Sequence, residues 1–185
     1  LDVKSGKPAI EFGEGGKVDA YIGVASAAVG ESRRSTWTIP NPVSIWKNLV
    51  ITGARPGEVG PPGPRGDIRA WDARTGKLVW TVHTVPTPGE ANFDSWERYN
   101  WRDRSGANVW STMAIDDARG ILYAPLGDIN GRTAGRNLYA NTLMAIDLNT
   151  GQIKWFHQLT VQDQWDYDLP TPPVLLDVRA NGKVI

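Results

Sequence analysis

Three carboxylates lie within six positions of one another in the run QDQWDYDLPTPP at 162–173. They are Asp163, Asp166 and Asp168, and two aromatic residues are interleaved with them. If the run is extended, Asp166 and Asp168 share one face. Carboxylates that are close together and partly desolvated by aromatic rings are hard to ionise without a compensating cation. Ca²⁺, a hard ion that takes oxygen ligands, would supply that charge. The alternative is a solvated acidic turn before a proline stop.

The elements that must position these acids carry a repeated phrase. It reads AWDARTGKLVW at 70–80 and AIDLNTGQIKW at 145–155, and a shorter copy, LDVKSGKP, occupies 1–8. The aspartates of the three copies, Asp2, Asp72 and Asp147, are 70 and then 75 positions apart. A period of tens of residues predicts a repeat architecture. Nine Trp, 20 Gly and 13 Pro, with many short strands between turns, predict an all-β propeller or barrel.

Each repeat is predicted to form four strands, arranged as two hairpins with a loop between them. In the first unit the strands are expected at 43–45, 49–51, 68–71 and 77–82. In the second unit they are expected at 110–115, 121–125, 142–146 and 152–157. No segment has a convincing helical period. Four strands per unit is typical of a propeller blade.

The repeated phrase has a structural explanation. Its Asp can accept hydrogen bonds from backbone N–H groups further along the turn, and its Gly supplies a positive φ. The Trp that follows can dock across the neighbouring blade and bury a large apolar surface. We therefore interpret six residues as structural: Asp72, Gly76, Trp80, Asp147, Gly151 and Trp155. Function is expected in the long connections 83–110 and 157–177, because ordered loops on a rigid scaffold usually carry it.

Composition excludes several classes of partner. The 185 residues contain 20 acidic and 20 basic side chains and no basic run, so nucleic acid and anionic membranes are poor candidates. No apolar run approaches the ~20 residues that cross a bilayer. Without Cys, the segment has neither disulfides nor thiolate metal sites. The chain begins inside a repeat, so we expect it to be an internal fragment of a larger protein.

Several long motifs together resemble the pyrroloquinoline quinone (PQQ)-dependent dehydrogenases, or quinoproteins, and in particular their glucose dehydrogenase-type branch. They are the repeated phrase, the WDYDLP run and the stretch NVWSTMAIDDARGILYAPLGD at 108–128. Three further stretches carry the same likeness: LDVKSGKPAIEFGEGGKVD at 1–19, GDIRAWDARTGKLVWTVHTVPTPGE at 66–90 and LPTPPVLLDV at 169–178. The resemblance therefore extends over nearly the whole chain.

The resemblance implies an eight-bladed β-propeller with PQQ on its central axis. Residues 1–185 would form part of a single PQQ-binding domain, with about two complete four-stranded blades plus partial neighbours. The expected units are a blade remnant at 1–20, blades at about 36–83 and 108–158, and the start of another blade at about 170–185.

The resemblance also assigns roles to individual residues. Asp166 is implied to be the general base, and Trp110 to form one face of the PQQ site. Asp166, Asp168, Asp128 and Glu58 are the implied ligands of Ca²⁺ or of another divalent or lanthanide ion. Thr38 and Arg34 lie in a region that contacts PQQ carboxylates in relatives.

Alternatives stay open for several of these roles. Trp110 could be another blade-docking Trp, Asp168 could only orient its loop, Glu58 could be a surface acid and Arg34 could face solvent. Relatives often have His where this chain has Gln162, and an Asn ligand where it has Asp128.

The implied activity is oxidation of a sugar or alcohol hydroxyl in the bacterial periplasm, with electrons passed to a quinone or cytochrome. A region outside this segment could anchor the protein to the membrane, and the isolated fragment is expected to be inactive. The alternatives are a non-catalytic propeller scaffold and an inactive paralogue. A scaffold needs the repeated phrase but has no use for the WDYD run or for an aromatic platform.

Overall fold

The structure is a computed structural model that describes residues 1–58, 60–96, 101–102, 104–131 and 134–184. Part of the predicted functional connection 83–110 and the last residue of the predicted unit 170–185 lie outside the described residues. Among the described residues the regular elements are β-strands and two short 3₁₀ helices, Gly30–Thr36 and Phe93–Ser95. No helix among them has the length and apolarity needed to cross a bilayer.

The first sheet is a four-stranded antiparallel meander. Its strands are β1 (Ser44–Trp46), β2 (Leu49–Thr52), β3 (Ile68–Asp72) and β4 (Leu78–Val82), hydrogen-bonded in chain order. The β3–β4 turn contains the repeated phrase. Oδ1 of Asp72 accepts hydrogen bonds from the backbone N–H of Thr75 (2.7 Å), from its hydroxyl (2.8 Å) and from the N–H of Arg74 (3.0 Å). These bonds, that of the Thr75 N–H above all, hold the pKa of Asp72 below its ordinary value.

The second sheet has the same arrangement as the first, and a separate ribbon of two short strands lies beside it in the chain. The ribbon pairs β5 (Ser105–Gly106) with β8 (Ile129–Asn130). The second sheet contains β6 (Ala114–Asp116), β7 (Ile121–Pro125), β9 (Thr142–Asp147) and β10 (Ile153–Gln158). Its strands are also antiparallel neighbours in chain order. A final hairpin pairs β11 (Arg179–Ala180) with β12 (Lys183–Val184). The predicted eight-strand pattern is therefore confirmed, and most strand ends agree within one residue.

One predicted strand is shorter than expected. The strand predicted at 110–115 begins only at Ala114, which pairs with Tyr123. Continuing that register would place residue 112 opposite Pro125, and proline has no N–H to donate to a ladder. Residues 110–113 therefore lie outside the sheet, ahead of β6.

The two sheets share one hydrophobic core. Its fully buried members include Ile51 and Ile68 from the first sheet and Leu122 and Met144 from the second. A second apolar cluster surrounds the ribbon of β5 and β8: Val85, Trp96, Ala107, Ile129 and Ala140. Each four-stranded meander corresponds to one blade of a propeller, and the shared core joins two successive blades.

The Trp of the first repeated phrase links the two sheets. Trp80 is buried, and its Nε1–H donates to the backbone carbonyl of Leu148 at 3.0 Å. Its ring lies against Gly151, where an added Cβ would come within 2.9 Å of the indole. The turn glycine of one repeat is therefore also the docking site for the Trp of the preceding repeat. Trp155, the corresponding residue of the second sheet, is 44% exposed on β10, the last strand of that sheet.

Candidate functional site

Loops from both sheets enclose a cleft of about 780 Å³. Three segments wall it: the β2–β3 loop, the chain around β5 and β8, and the run after β10. Five of the seven predicted site residues line it: Glu58, Trp110, Asp128, Asp166 and Asp168. Its volume is in the range of small-molecule sites.

Asparagine amides tie the walls together. The side-chain amide of Asn108 donates to the carbonyl of Ala54 at 2.7 Å. The Asn130 amide donates to the carbonyl of Gly57 at 2.6 Å and to the hydroxyl of Ser105 at 3.0 Å. Both asparagines belong to the second repeat, and the carbonyls of Ala54 and Gly57 belong to the β2–β3 loop of the first. These bonds fix the two walls relative to each other.

Asp168 joins two parts of the cleft. Its Oδ2 accepts a hydrogen bond from the indole Nε1–H of Trp110 at 2.8 Å, and its Oδ1 accepts one from the backbone N–H of Asp128. The carboxylate also packs against Gly127, where an added Cβ would lie 2.7 Å from Oδ1. Any larger residue at position 127 would displace Asp168. The sequence analysis did not identify Gly127, because only the folded chain brings residue 168 next to it.

Trp110 presents its ring to the cleft. The residue is 37% exposed, and Asp168 fixes its indole nitrogen. Trp80, a docking Trp, is instead buried and bonded to the neighbouring sheet's backbone. Trp110 therefore lines the cleft and differs in its contacts from Trp80.

Asp163 organises the acidic run from inside the protein. It is only 6% exposed, and it accepts hydrogen bonds from the backbone N–H groups of Trp165 (2.8 Å) and Tyr167. The side-chain amide of Asn141 donates to its Oδ2 at 2.6 Å. The sequence placed Asp163 in the run but gave it no role, and Asn141 carried no sequence signal.

The run is a turn rather than an extended strand. Asp166 has a φ of 68°, in the left-handed region, and both it and Asp168 line the cleft. Trp165 and Tyr167 are 77% and 62% exposed. The expected desolvation of the acids by these rings is therefore not present among the described residues.

Acidic side chains outnumber basic ones among the described residues that line the cleft. Arg55 is the only cationic side chain among these residues, and four carboxylates also line the cleft: Glu58, Asp128, Asp166 and Asp168. Arg55 itself pairs with Glu58 at 2.8 Å. The donor set suits a hard cation in its chemistry. Within the described part of the chain, no three acids or histidines already form a metal-binding group, so an ion would have to draw these carboxylates together.

The other two predicted cofactor contacts lie outside the cleft. Thr38 pairs through its backbone with Arg55, at 2.9 and 2.8 Å, so it supports a residue that lines the cleft. Arg34 donates to both carboxylate oxygens of Asp19, at 2.8 and 2.9 Å, and to Glu31. The bonds to Glu31 and Asp19 raise the pKa of the Arg34 guanidinium. The structure does not bring Arg34 to the site.

Comparison with known proteins identifies the family. The family profile described as "PQQ: Glucose/ethanol/alcohol dehydrogenase, beta-propeller domain" matches residues 1–185. Quinoprotein glucose dehydrogenase A of Acinetobacter calcoaceticus is 32% identical over 190 residues, which cover 97% of this chain and 22% of the relative. Quinohemoprotein alcohol dehydrogenase of Comamonas testosteroni is 30% identical over 171 residues, which cover 83% of this chain and 24% of the relative.

Solved structures show the same fold. The crystal structure of the Comamonas testosteroni quinohemoprotein alcohol dehydrogenase matches 80% of this chain and 24% of its own, with a TM-score of 0.68 and 29% identity. A europium-containing methanol dehydrogenase also gives a TM-score of 0.68, at 25% identity, over 80% of this chain and 29% of its own.

The match has a limited span on the relatives' side. The chain corresponds to about a quarter of the length of the curated relatives, 24% and 22% for the two described above. On its own side the match is complete, because the family profile covers every residue. The resemblance drawn from the sequence is confirmed: this chain belongs to the PQQ family of glucose, ethanol and alcohol dehydrogenase β-propeller domains.

Proposed function

We propose that this chain supplies the catalytic base and one face of the cofactor site of a PQQ-dependent dehydrogenase that oxidises a sugar or alcohol hydroxyl. The observation that carries the proposal is that Asp166 and the exposed ring of Trp110 line one cleft. Relatives named as glucose and as alcohol dehydrogenases support both substrate classes, and the glucose dehydrogenase-type motifs favour a sugar.

The chain's own groups suit a flat, anionic cofactor. PQQ, when bound, supplies the acceptor for the hydride that leaves the substrate carbon. The face of Trp110 would hold its ring system, and the hydrogen bond to Asp168 keeps that face in place. Arg55, on the cleft wall, is a suitable partner for carboxylates of the cofactor. Thr38 would act through its backbone pairing with Arg55.

Asp166 is the proposed general base. An ionised carboxylate within hydrogen-bond reach of the substrate hydroxyl can accept its proton as the hydride leaves the adjacent carbon. The turn places Asp166 on the cleft surface, where a substrate could meet it. The product of this step is a carbonyl compound or a lactone, and the proton remains on Asp166 until solvent removes it.

A cation would balance the acidic cleft. Glu58, Asp128, Asp166 and Asp168 are the proposed ligands, and Ca²⁺ is the first candidate because all four offer oxygen. A lanthanide is the second, because a structural relative is a europium-containing methanol dehydrogenase. The ion's positive charge would keep the neighbouring carboxylates ionised.

The setting of the whole protein is also a proposal. A quinone or a cytochrome is the proposed electron acceptor, in agreement with relatives named as a quinohemoprotein and as a quinone-linked alcohol dehydrogenase. We place the protein in the bacterial periplasm, with or without attachment to the membrane.

The test is substitution of Asp166 in the natural protein that contains this chain, reconstituted with PQQ and Ca²⁺ and assayed on aldoses and alcohols with a dye acceptor. Asp166→Asn should lower kcat by about 10²–10⁴-fold, the usual contribution of a general base. Asp177→Asn, which removes an exposed acid outside the cleft, should leave kcat unchanged. Activity that survives Asp166→Asn would refute the base assignment. If the natural protein does not bind PQQ, the scaffold and inactive-paralogue alternatives replace the enzyme.

A further inference from the structure

One buried carboxylate accepts hydrogen bonds from the residues on either side of Asp166. Asp163 accepts hydrogen bonds from the N–H of Trp165, immediately before Asp166, and from that of Tyr167, immediately after it. Asp163 lies behind the cleft and does not line it. Its effect on a substrate would therefore have to pass through the residue between its two partners.

That residue has an unusual backbone conformation. Asp166 adopts a φ of 68°, and a non-glycine residue in the left-handed region needs surrounding contacts to hold it there. The two bonds to Asp163 provide such contacts on both sides. Without them the turn could relax to an ordinary φ and carry the Asp166 carboxylate away from its place on the cleft.

Asn141 connects this turn to the rigid sheet. It is fully buried at the start of β9, and its amide donates to Asp163 at 2.6 Å and to the carbonyl of Tyr167 at 3.3 Å. Its backbone N–H donates to the carbonyl of Gly127 at 3.0 Å. Gly127 is also the residue against which Asp168 packs. Asn141 therefore contacts one end of the acidic run at Asp163, and Gly127, to which it is bonded, contacts the other end at Asp168.

We infer that Asp163, held by Asn141, is a positioning residue that fixes Asp166 for proton transfer. The inference rests on the proposed role of Asp166 as the base. Among the described residues, three N–H groups donate to Asp163 and together use both of its oxygens, and a carboxylate can accept at both positions where an amide cannot. Asparagine at position 163 would direct an NH₂ group at one or more N–H donors.

The test compares kcat, KM and PQQ affinity in the reconstituted natural protein. Asp163→Asn should lower kcat by about 100-fold, as a misplaced catalytic group does. KM and the PQQ dissociation constant should change by less than about threefold, because Asp163 does not line the cleft. The matched control is Asp147→Asn, which alters a similar turn carboxylate that accepts bonds from Asn149 and Thr150 outside the cleft. It should lower the melting temperature and leave kcat unchanged.

A reciprocal exchange distinguishes positioning from general damage to the fold. Asn141→Asp alone places two carboxylates face to face and should lower kcat as Asp163→Asn does. The double variant N141D/D163N restores one donor facing one acceptor between positions 141 and 163, so its kcat should exceed that of N141D. It should not exceed that of D163N, because the NH₂ group at position 163 still faces the Tyr167 N–H. If Asp163→Asn does not fold, the comparison of kcat between N141D and N141D/D163N still tests the positioning role.

The outcomes separate the two proposals. An inactive Asp166→Asn with a normal kcat in Asp163→Asn would overturn the positioning role alone. Equal losses of kcat and PQQ affinity in Asp163→Asn, with no recovery in the double variant, would also overturn it and show a structural role. An active Asp166→Asn would instead refute the base assignment on which the inference rests.

Discussion

At the scale of single residues, Asp168 has two competing roles, and its contacts favour one of them. Its oxygens already accept the Trp110 indole N–H and the Asp128 backbone N–H. A carboxylate oxygen has more than one lone pair, so these bonds do not prevent metal binding. They do mean that Asp168 holds the indole of Trp110 in place in this structure.

Asp168→Asn tests this role. An amide cannot accept both N–H groups, so the Trp110 ring should lose its fixed orientation. We expect PQQ affinity to fall by about 10- to 100-fold, since losing a hydrogen bond to a charged group costs about 1.5–3 kcal/mol. The measurement is a PQQ titration at the Ca²⁺ concentration that just saturates the unsubstituted natural protein, with Asp177→Asn as the control.

The metal dependence decides between the two roles of Asp168. If Asp168 acts chiefly as a ligand, excess Ca²⁺ should restore PQQ affinity in the Asn variant. If it orients Trp110, added Ca²⁺ should have no effect. Unchanged affinity in Asp168→Asn without added metal would contradict both interpretations.

The acidic residues predicted from the sequence line the cleft, whereas the predicted arginine, Arg34, does not. Glu58, Asp128 and Asp166 reach it because each lies in a loop that the repeat leaves between strands. Arg34 does not, because Asp19 and Glu31 bind its guanidinium. Sequence spacing gives no sign of that competition, since Asp19 comes close only when the chain before the 3₁₀ helix folds back.

At the scale of elements, the docking of Trp80 is one of the contacts that join the two sheets. The repeated phrase predicted the turn and the Trp, and the structure adds the receptor, which is the Gly151 turn of the next repeat. The strand predicted at 110–115 was longer than the one observed, because the position of Pro125 opposite it becomes visible only once the strands are paired.

Substitution of Trp80 should therefore destabilise the natural protein strongly. Trp80→Ala removes a buried ring and should lower the free energy of unfolding by about 3–5 kcal/mol. Trp80→Phe retains most of the ring but leaves the Leu148 carbonyl without its indole donor, which costs about 1–3 kcal/mol. Denaturant titration measures both.

The neighbouring residue Val79, 49% exposed on the same strand, supplies the matched control. Val79→Ala should cost less than about 1 kcal/mol, the span of strand preferences. A Trp80→Ala protein no less stable than Val79→Ala would show that the sheets are held together by other contacts.

At the scale of the whole molecule, the site depends on two repeats and the segment that follows them. Glu58 belongs to the first sheet's long loop, Asp128 follows β7, and Asp166 and Asp168 lie after β10. The sequence could predict that these segments carry function. It could not predict their meeting at one cleft, which requires the docking of one sheet on the other.

A cation bound by these carboxylates would link all three segments, so it should stabilise the whole protein. Ca²⁺ at about 100 times its dissociation constant would add about 2.7 kcal/mol to the free energy of unfolding, and chelation would remove it. We expect Ca²⁺ to raise the melting temperature of the natural protein and EDTA to reverse the rise. Asp128→Ala, which removes the ligand oxygen, should reduce the shift, whereas Glu11→Ala, at an exposed acid outside the cleft, should preserve it. A melting temperature that is indifferent to EDTA, or a full shift in Asp128→Ala, would show that the four acids do not act together as one cation site.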